Sequence, residues 1–343
     1  MKRRILFAAL MSLLLITSCN AKKTHDTTPK RQGYREWELD RNLYGDVDSV
    51  TITNYKFTDK FGELVKDRII NKDVYKFNLR GDVVEMIGYN SDGSLMGKIL
   101  HKYDSQGNMI ESTGYYSDGS LMEKYLYKYD SQGNMIEEAR YNSDGSLDYK
   151  YLYKYDSQGN KIEKARYNSD GSLDYYKYLY KYDSQGNNIE SGCYTSDGFL
   201  IFKYLYKYDL QGNMIEEASY NGDGSLREKS LYKYDSQGNM IEEAIYNGDG
   251  SLREKSLYKY DSQGNKIEEA RYNGDGSLDY KYLYKYDSQG NMIEEAKYDD
   301  DGSLSSKYLY KYDSQGNMIE KVEYEGEIMK PVSKTEQVIV YRK

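Results

Sequence analysis

A Tyr-Asp pair recurs every 26 residues along most of this chain, at Tyr103, Tyr129, Tyr155, Tyr182, Tyr208, Tyr234, Tyr260, Tyr286 and Tyr312. A fixed period in this range marks a repeat array, in which no unit buries its own apolar face and each relies on its neighbours. The spacing breaks once, with 27 residues between Tyr155 and Tyr182. A degenerate copy precedes the series, with Phe77-Asn78 in the Tyr-Asp place and Asp92-Gly93 matching Asp118-Gly119.

Each unit carries two turns. In the copy from Asn134 to Asp156, Asp130-Ser131-Gln132-Gly133 leads into Met135 to Tyr141, and Asn142-Ser143-Asp144-Gly145 leads into Leu147 to Tyr155. Asp or Asn first and Gly fourth fits a type I turn followed by a left-handed Gly, the usual three-residue hairpin loop. Two turns per unit mean two strands, and Tyr-rich period-2 alternation supports strands over helices. The loop predicts Asn142 opposite Ser146, then Tyr141 opposite Leu147, Arg140 opposite Asp148, Ala139 opposite Tyr149 and Glu138 opposite Lys150. The other turn, with Asp156 opposite Asn160, predicts Tyr155 opposite Lys161, Tyr151 opposite Ala165 and Tyr149 opposite Tyr167. One sheet face would then carry Tyr149, Tyr151, Tyr153 and Tyr155 with Met135, Ala139, Tyr141 and Tyr167. The other would carry Lys, Arg, Glu and Asp with a stripe of Ile136 and Leu152.

The expected fold class is all-β: tandem 26-residue β-hairpin repeats forming a coiled antiparallel meander, as a β-spiral or partial shell. About twenty strands exceed the roughly ten that an open twisted sheet tolerates without curling. The doubled Tyr175-Tyr176 accounts for the 27-residue spacing. One unrelieved extra residue would flip every later side chain, so a β-bulge is predicted there. Asp46 to Phe57 and Glu336 to Tyr341 read as capping strands that protect edges otherwise able to template aggregation.

The run Tyr129-Asp130-Ser131-Gln132-Gly133-Asn134-Met135, followed by Asp144-Gly145 and Tyr153, resembles the YD repeat of Rhs proteins and teneurins over approximately Tyr75 to Glu323. The resemblance implies hairpins wound into a spiral shell that encloses a toxin or presents an adhesive surface. No toxin domain follows the repeats here, and nine copies are few for closing a large shell. The opening Leu43 to Thr51 looks similar to the start of secreted YD-type bacterial surface lipoproteins.

The N-terminus supplies an address. Lys2, Arg3 and Arg4 precede an apolar run from Ile5 to Ile16, too short to span a bilayer but suited to a signal-peptide core. It ends in Leu15-Ile16-Thr17-Ser18-Cys19, which looks like a lipobox with Cys19 as the lipid attachment point. The expected organisation is a lipoprotein signal at 1–18, a flexible tether at 19–35, an N-terminal capping β segment at 36–74, the repeat array at 75–323 and a C-terminal capping strand at 324–343. The tether spans roughly 20 to 25 Å. The expected address is the bacterial cell envelope, with the lipid in the outer membrane.

Chemistry is sparse. The net charge is −8, and three of the 48 basic residues leave with the leader, so 45 face 56 acidic residues and the mature charge is −11. That balance, with Lys spaced singly, argues against nucleic acid. Two Cys and two His leave little for disulfides, metals or general-base chemistry. His25 lies in the tether, His101 takes a Tyr position, and Cys193 takes the place of Arg or Ser. Loops such as Asn247 to Ser251 resemble calcium loops only in residues the turns already require. No catalytic residue, metal or cofactor is therefore expected.

The Tyr face is the substantive candidate, either as core or as a stacking platform. The units Met214 to Asn239 and Met240 to Asn265 differ only at Ser219 against Ile245, so copying changes reach and multivalency rather than a unique site. The expected function is a non-enzymatic, lipid-anchored scaffold or multivalent binding surface in the envelope, with a glycan or a host or envelope protein as partner. Alternatives are a carbohydrate-binding or adhesion module using the Tyr face, an immunity partner of a secreted toxin and, from the enzyme class, an envelope hydrolase, for which residues 36–74 and 324–343 offer no convincing acid and base pair.

Overall fold

The computed structural model describes residues 43–60, 63–326 and 330–343; Cys19, His25 and the segments expected to be leader and tether lie outside the described residues. The rest is 22 consecutive β-strands, with no helix among the described residues. The series opens with β1 (Val47–Lys60), β2 (Glu63–Phe77), β3 (Val83–Asn90), β4 (Leu95–Tyr103), β5 (Met109–Tyr116) and β6 (Leu121–Tyr129). It continues through β7 (Met135–Tyr141), β8 (Leu147–Tyr155), β9 (Lys161–Asn168), β10 (Leu173–Tyr182) and β11 (Asn188–Thr195), and ends with β21 (Met318–Glu325) and β22 (Lys330–Tyr341). Each strand pairs antiparallel with the next, as expected of a hairpin meander.

The turns form as their residues dictate. At one rim Asp130 Oδ1 accepts from the amides of Gln132 and Asn134, both at 2.9 Å, while Asn134 Nδ2 donates to Asp130 Oδ2 at 3.0 Å. At the other rim Asp144 Oδ1 accepts from the amide of Ser146 at 2.9 Å. The fourth residue takes a left-handed backbone, φ 85° at Gly133 and 82° at Gly145, which only Gly adopts without strain.

The registers agree with the sequence reading at the turns and depart from it one residue later. Tyr141 does pair with Leu147, and Tyr155 with Lys161. Beyond them a β-bulge inserts one residue, Asp148 in the first hairpin and Ile162 in the second, so Arg140 pairs with Tyr149, Ala139 with Lys150, Glu138 with Tyr151, Leu152 with Ala165 and Tyr149 with Asn168. The slip recurs in the other units. Its consequence is a different division of faces. Glu138, Arg140, Lys164 and Arg166 join Tyr149, Tyr151, Tyr153 and Tyr155, whereas Ala139, Tyr141 and Tyr167 lie on the opposite face with Lys150, Leu152 and Lys154.

The bulge expected at Tyr175-Tyr176 is present: Leu173 pairs with Tyr167 and Lys177 with Ala165, and the phase recovers at once. Both tyrosines of the insertion are exposed.

The capping strands do more than protect edges. β1 pairs with β22, Val50 opposite Ile339 and Asn54 opposite Thr335, so the meander closes on itself as a ring rather than an open coil. Closure is the one arrangement that leaves no unpaired edge. The apolar core sits at this seam, where Val47, Val50, Ile52, Tyr75, Val83, Met86 and Ile99 pack together with Tyr125. Asn317 bridges the seam, accepting from the Tyr44 amide at 2.6 Å and donating to the Tyr44 carbonyl at 2.9 Å.

The outward face carries ion pairs. Glu111 holds Lys102 and Lys124, each at 2.9 Å, and Lys154 meets Glu163 at 3.0 Å. The bulged Ile136 and Ile162 are each 37% exposed on this face.

Candidate functional site

The inward face of the ring is where the unused chemistry collects. A closed sheet of this strand number is wider than its own side chains fill. Most of the inward rings, Tyr149 and Tyr151 included, are half-buried rather than packed away.

On β8, alternate residues point inward as a row of rings. Tyr149 and Tyr151 meet edge to face with centroids 5.6 Å apart, and Tyr151 lies 6.3 Å from Tyr153. Between these rings stand charges from the flanking strands. Glu138, only 1% exposed, accepts the Tyr153 hydroxyl proton at 2.9 Å. Burial raises the Glu138 carboxyl pKa, against the opposing pull of that hydrogen bond and of Lys164. The same burial, with Glu138 beside it, raises Tyr153 far above an ordinary phenol. Lys164 sits 4.3 Å over the Tyr151 ring and Arg166 4.3 Å over Tyr149, within cation–π range.

The pattern repeats with changes. The Tyr-to-Glu bond recurs from Tyr258 to Glu243 at 3.2 Å and from Tyr310 to Glu295 at 2.8 Å. In two units Glu228 and Ser230, and Glu254 and Ser256, replace the first two rings, so the aromatic ladder is interrupted there.

Tyr155 has a separate task. Its hydroxyl donates to the Met135 carbonyl at 2.8 Å, and every Tyr-Asp tyrosine makes the equivalent bond, as Tyr129 does to Met109 at 2.9 Å. The Tyr-Asp signature is thus a structural lock: Tyr ties the strand end to its neighbour and Asp builds the turn. Of the six tyrosines read from the sequence as one face, Tyr149, Tyr151 and Tyr153 form the inward row, Tyr155 serves the fold, and Tyr141 and Tyr167 face outward. The charged partners were not legible as such, because the bulges that bring them inward leave no mark on period-2 alternation.

His101 lies inward and buried opposite Ser112; burial pushes its pKa down to about 4, so the imidazole is neutral. Cys193 is buried, and burial raises its thiol. Among the described residues no group of three or more His, Cys, Asp or Glu side chains is placed to hold a metal ion.

No family model and no curated protein matches the chain. Among solved structures, it is similar to a TcdB2-TccC3-Cdc42 complex at 15% identity and TM-score 0.32, covering 76% of this chain and 15% of that one. It is also similar to the Photorhabdus luminescens Tc holotoxin pore at 12% identity and TM-score 0.36, covering 77% and 19%. A porin-like protein from Bacteroides uniformis matches at 9% identity and TM-score 0.28, covering 86% and 96%. The chain therefore spans less than a fifth of the two Tc chains.

Proposed function

We propose that this is a non-enzymatic binding protein of the bacterial envelope, anchored by lipid at Cys19, whose inward Tyr face holds a glycan chain. The observation that carries the reading is the pair of half-buried inward rings Tyr149 and Tyr151, held edge to face at 5.6 Å. A flat ring suits the C–H face of a pyranose, and Tyr149 and Tyr151, only half-buried, keep ring surface for one. Repetition of that grouping around one ring suits a long or repetitive ligand bound by several weak contacts. The likeness of its units to the YD repeat of Rhs proteins and teneurins is in keeping with a repeat-built surface shell.

A structural scaffold is the second reading, favoured by the near-identity of residues 214–239 and 240–265, which adds wall rather than a new site. A glycan array probed with the full-length protein, and with a variant lacking residues 240–265, separates the two. Binding to a glycan class that Tyr151→Ala weakens supports the first reading. Absence of binding to every glycan overturns it in favour of a scaffold or a protein partner such as a secreted toxin. Metabolic labelling with palmitate, lost in Cys19→Ser, tests the anchor.

A further inference from the structure

Inward cations are not spread evenly around the ring. On β9 the inward residues are Lys161, Lys164 and Arg166, paired across to Tyr155, Tyr153 and Tyr151. The corresponding residues of β7 are Met135, Glu138 and Arg140, and β13 (Met214–Asn221) carries Met214, Glu217 and Ser219. The sequence of β17 (Lys266–Asn273) comes nearest to β9, with Lys266, Glu269 and Arg271, but there Lys266 is neutralised by Glu269 at 2.6 Å. On β9 Lys164 stands where that glutamate would be.

The two β9 amines are thus left facing rings instead of carboxylates. Lys161 lies 5.8 Å from the Tyr153 centroid and 5.3 Å from that of Tyr180, and Lys164 lies 4.3 Å from Tyr151. Among the described residues neither has a carboxylate within ion-pair distance, and burial lowers the pKa of both. Lys161 also disfavours the charge of Lys164, against the single opposing influence of Glu138, whose carboxylate already takes the Tyr153 hydroxyl. Beside them Arg166 binds Asp174 through Nη1 at 2.9 Å, while its buried Nε has no partner. Clustered donors of one sign in a partly buried setting, short of acceptors, are costly unless something else satisfies them.

We propose that Lys161, Lys164 and Arg166 form an anion subsite of the inward face, taking a carboxylate or sulfate group of an acidic glycan whose sugar rings lie on Tyr149 and Tyr151. The assignment rests on the glycan reading above and specifies the ligand's charge. The ligand carries isolated acidic groups on an otherwise neutral chain. Further round the ring, Glu217 has its carboxyl raised by burial and by nearby Glu228 and Glu243, and a charge on every unit would meet repulsion there. That argues against a polyphosphate backbone as the occupant.

The repeats provide the control substitutions. Lys161→Met and Lys164→Glu install what β7 carries at the same positions, and Lys164→Ser installs what β11 carries as Ser191. Full-length protein is titrated with sialyllactose, 6-sulfo-lactose and a xylotriose bearing one glucuronate, and with neutral lactose and xylotriose. The expected result is at least one acidic sugar bound about tenfold more tightly than its neutral parent, a preference weakened by salt and lost in both the double variant and Lys164→Ser. Equal binding of acidic and neutral sugars, or a preference that survives both variants, overturns the subsite and leaves the Tyr platform standing. Failure of every sugar to bind overturns the platform reading as well.

Discussion

The Tyr153 hydroxyl donates to the Glu138 carboxylate at 2.9 Å across the β7–β8 pair, which makes one of the most deeply buried charged groups in the ring depend on a single phenol. Tyr153→Phe leaves that carboxylate unpaired and should cost about 1–3 kcal/mol in urea denaturation. Combining it with Glu138→Gln should recover part of the loss. A double variant no more stable than Tyr153→Phe alone would show that Glu138 is satisfied by another group.

Alkaline titration should reveal the interior phenols. Burial pushes Tyr180, Tyr232 and Tyr258 up to about 12, so their ultraviolet ionisation signal should appear roughly two units above that of a free tyrosine. The folded state binds these protons more tightly than the unfolded state. Stability is therefore intact below about pH 10 and falls as pH rises through the folded values. Ionisation of all 43 tyrosines near pH 10 would contradict the buried setting.

Acid acts through His101. Its folded pKa of about 4 lies below the ordinary value of 6.5, so the unfolded state takes up the proton first, and stability falls as pH drops from about 6.5 to 4. His101→Tyr installs the residue found at the same place in other units, Tyr127 and Tyr153 among them, and should remove that part of the acid sensitivity. Thermal melts at pH 7 and pH 4.5 compare the two proteins.

Closure depends on the last strand. Arg342 reaches Asp46 at 2.7 Å and the Asn78 carbonyl at 2.9 Å, and β22 covers β1 along most of its length. Deleting residues 330–343 bares the edges of β1 and β21, and the expected outcome is edge-to-edge association seen in light scattering. A monomer as stable as the full chain would mean that closure contributes little.

Deleting residues 240–265 should leave a folded ring of two fewer strands, because the unit before it ends in the same Asp-Ser-Gln-Gly-Asn turn and restores both registers. A reduced radius of gyration with an unchanged melting transition is the expected outcome of small-angle scattering and calorimetry.

Much of the fold is local and was therefore legible. The 26-residue period, the Asp- and Gly-built turns, the two strands per unit and the bulge at Tyr175-Tyr176 all follow from residues adjacent in sequence, where turn chemistry and period-2 alternation act directly. Two features are not local. A bulge at Asp148 or Ile162 slips the pairing by one without altering the alternation of either strand, so only the assembled sheet brings Glu138, Arg140, Lys164 and Arg166 among the tyrosines and turns Tyr141 and Tyr167 outward. Nor does any repeat unit specify where the meander ends. That was decided by β1 and β22, whose facing edges meet only after some 280 intervening residues have curled far enough, and whose pairing satisfies backbone groups that an open sheet would leave bare.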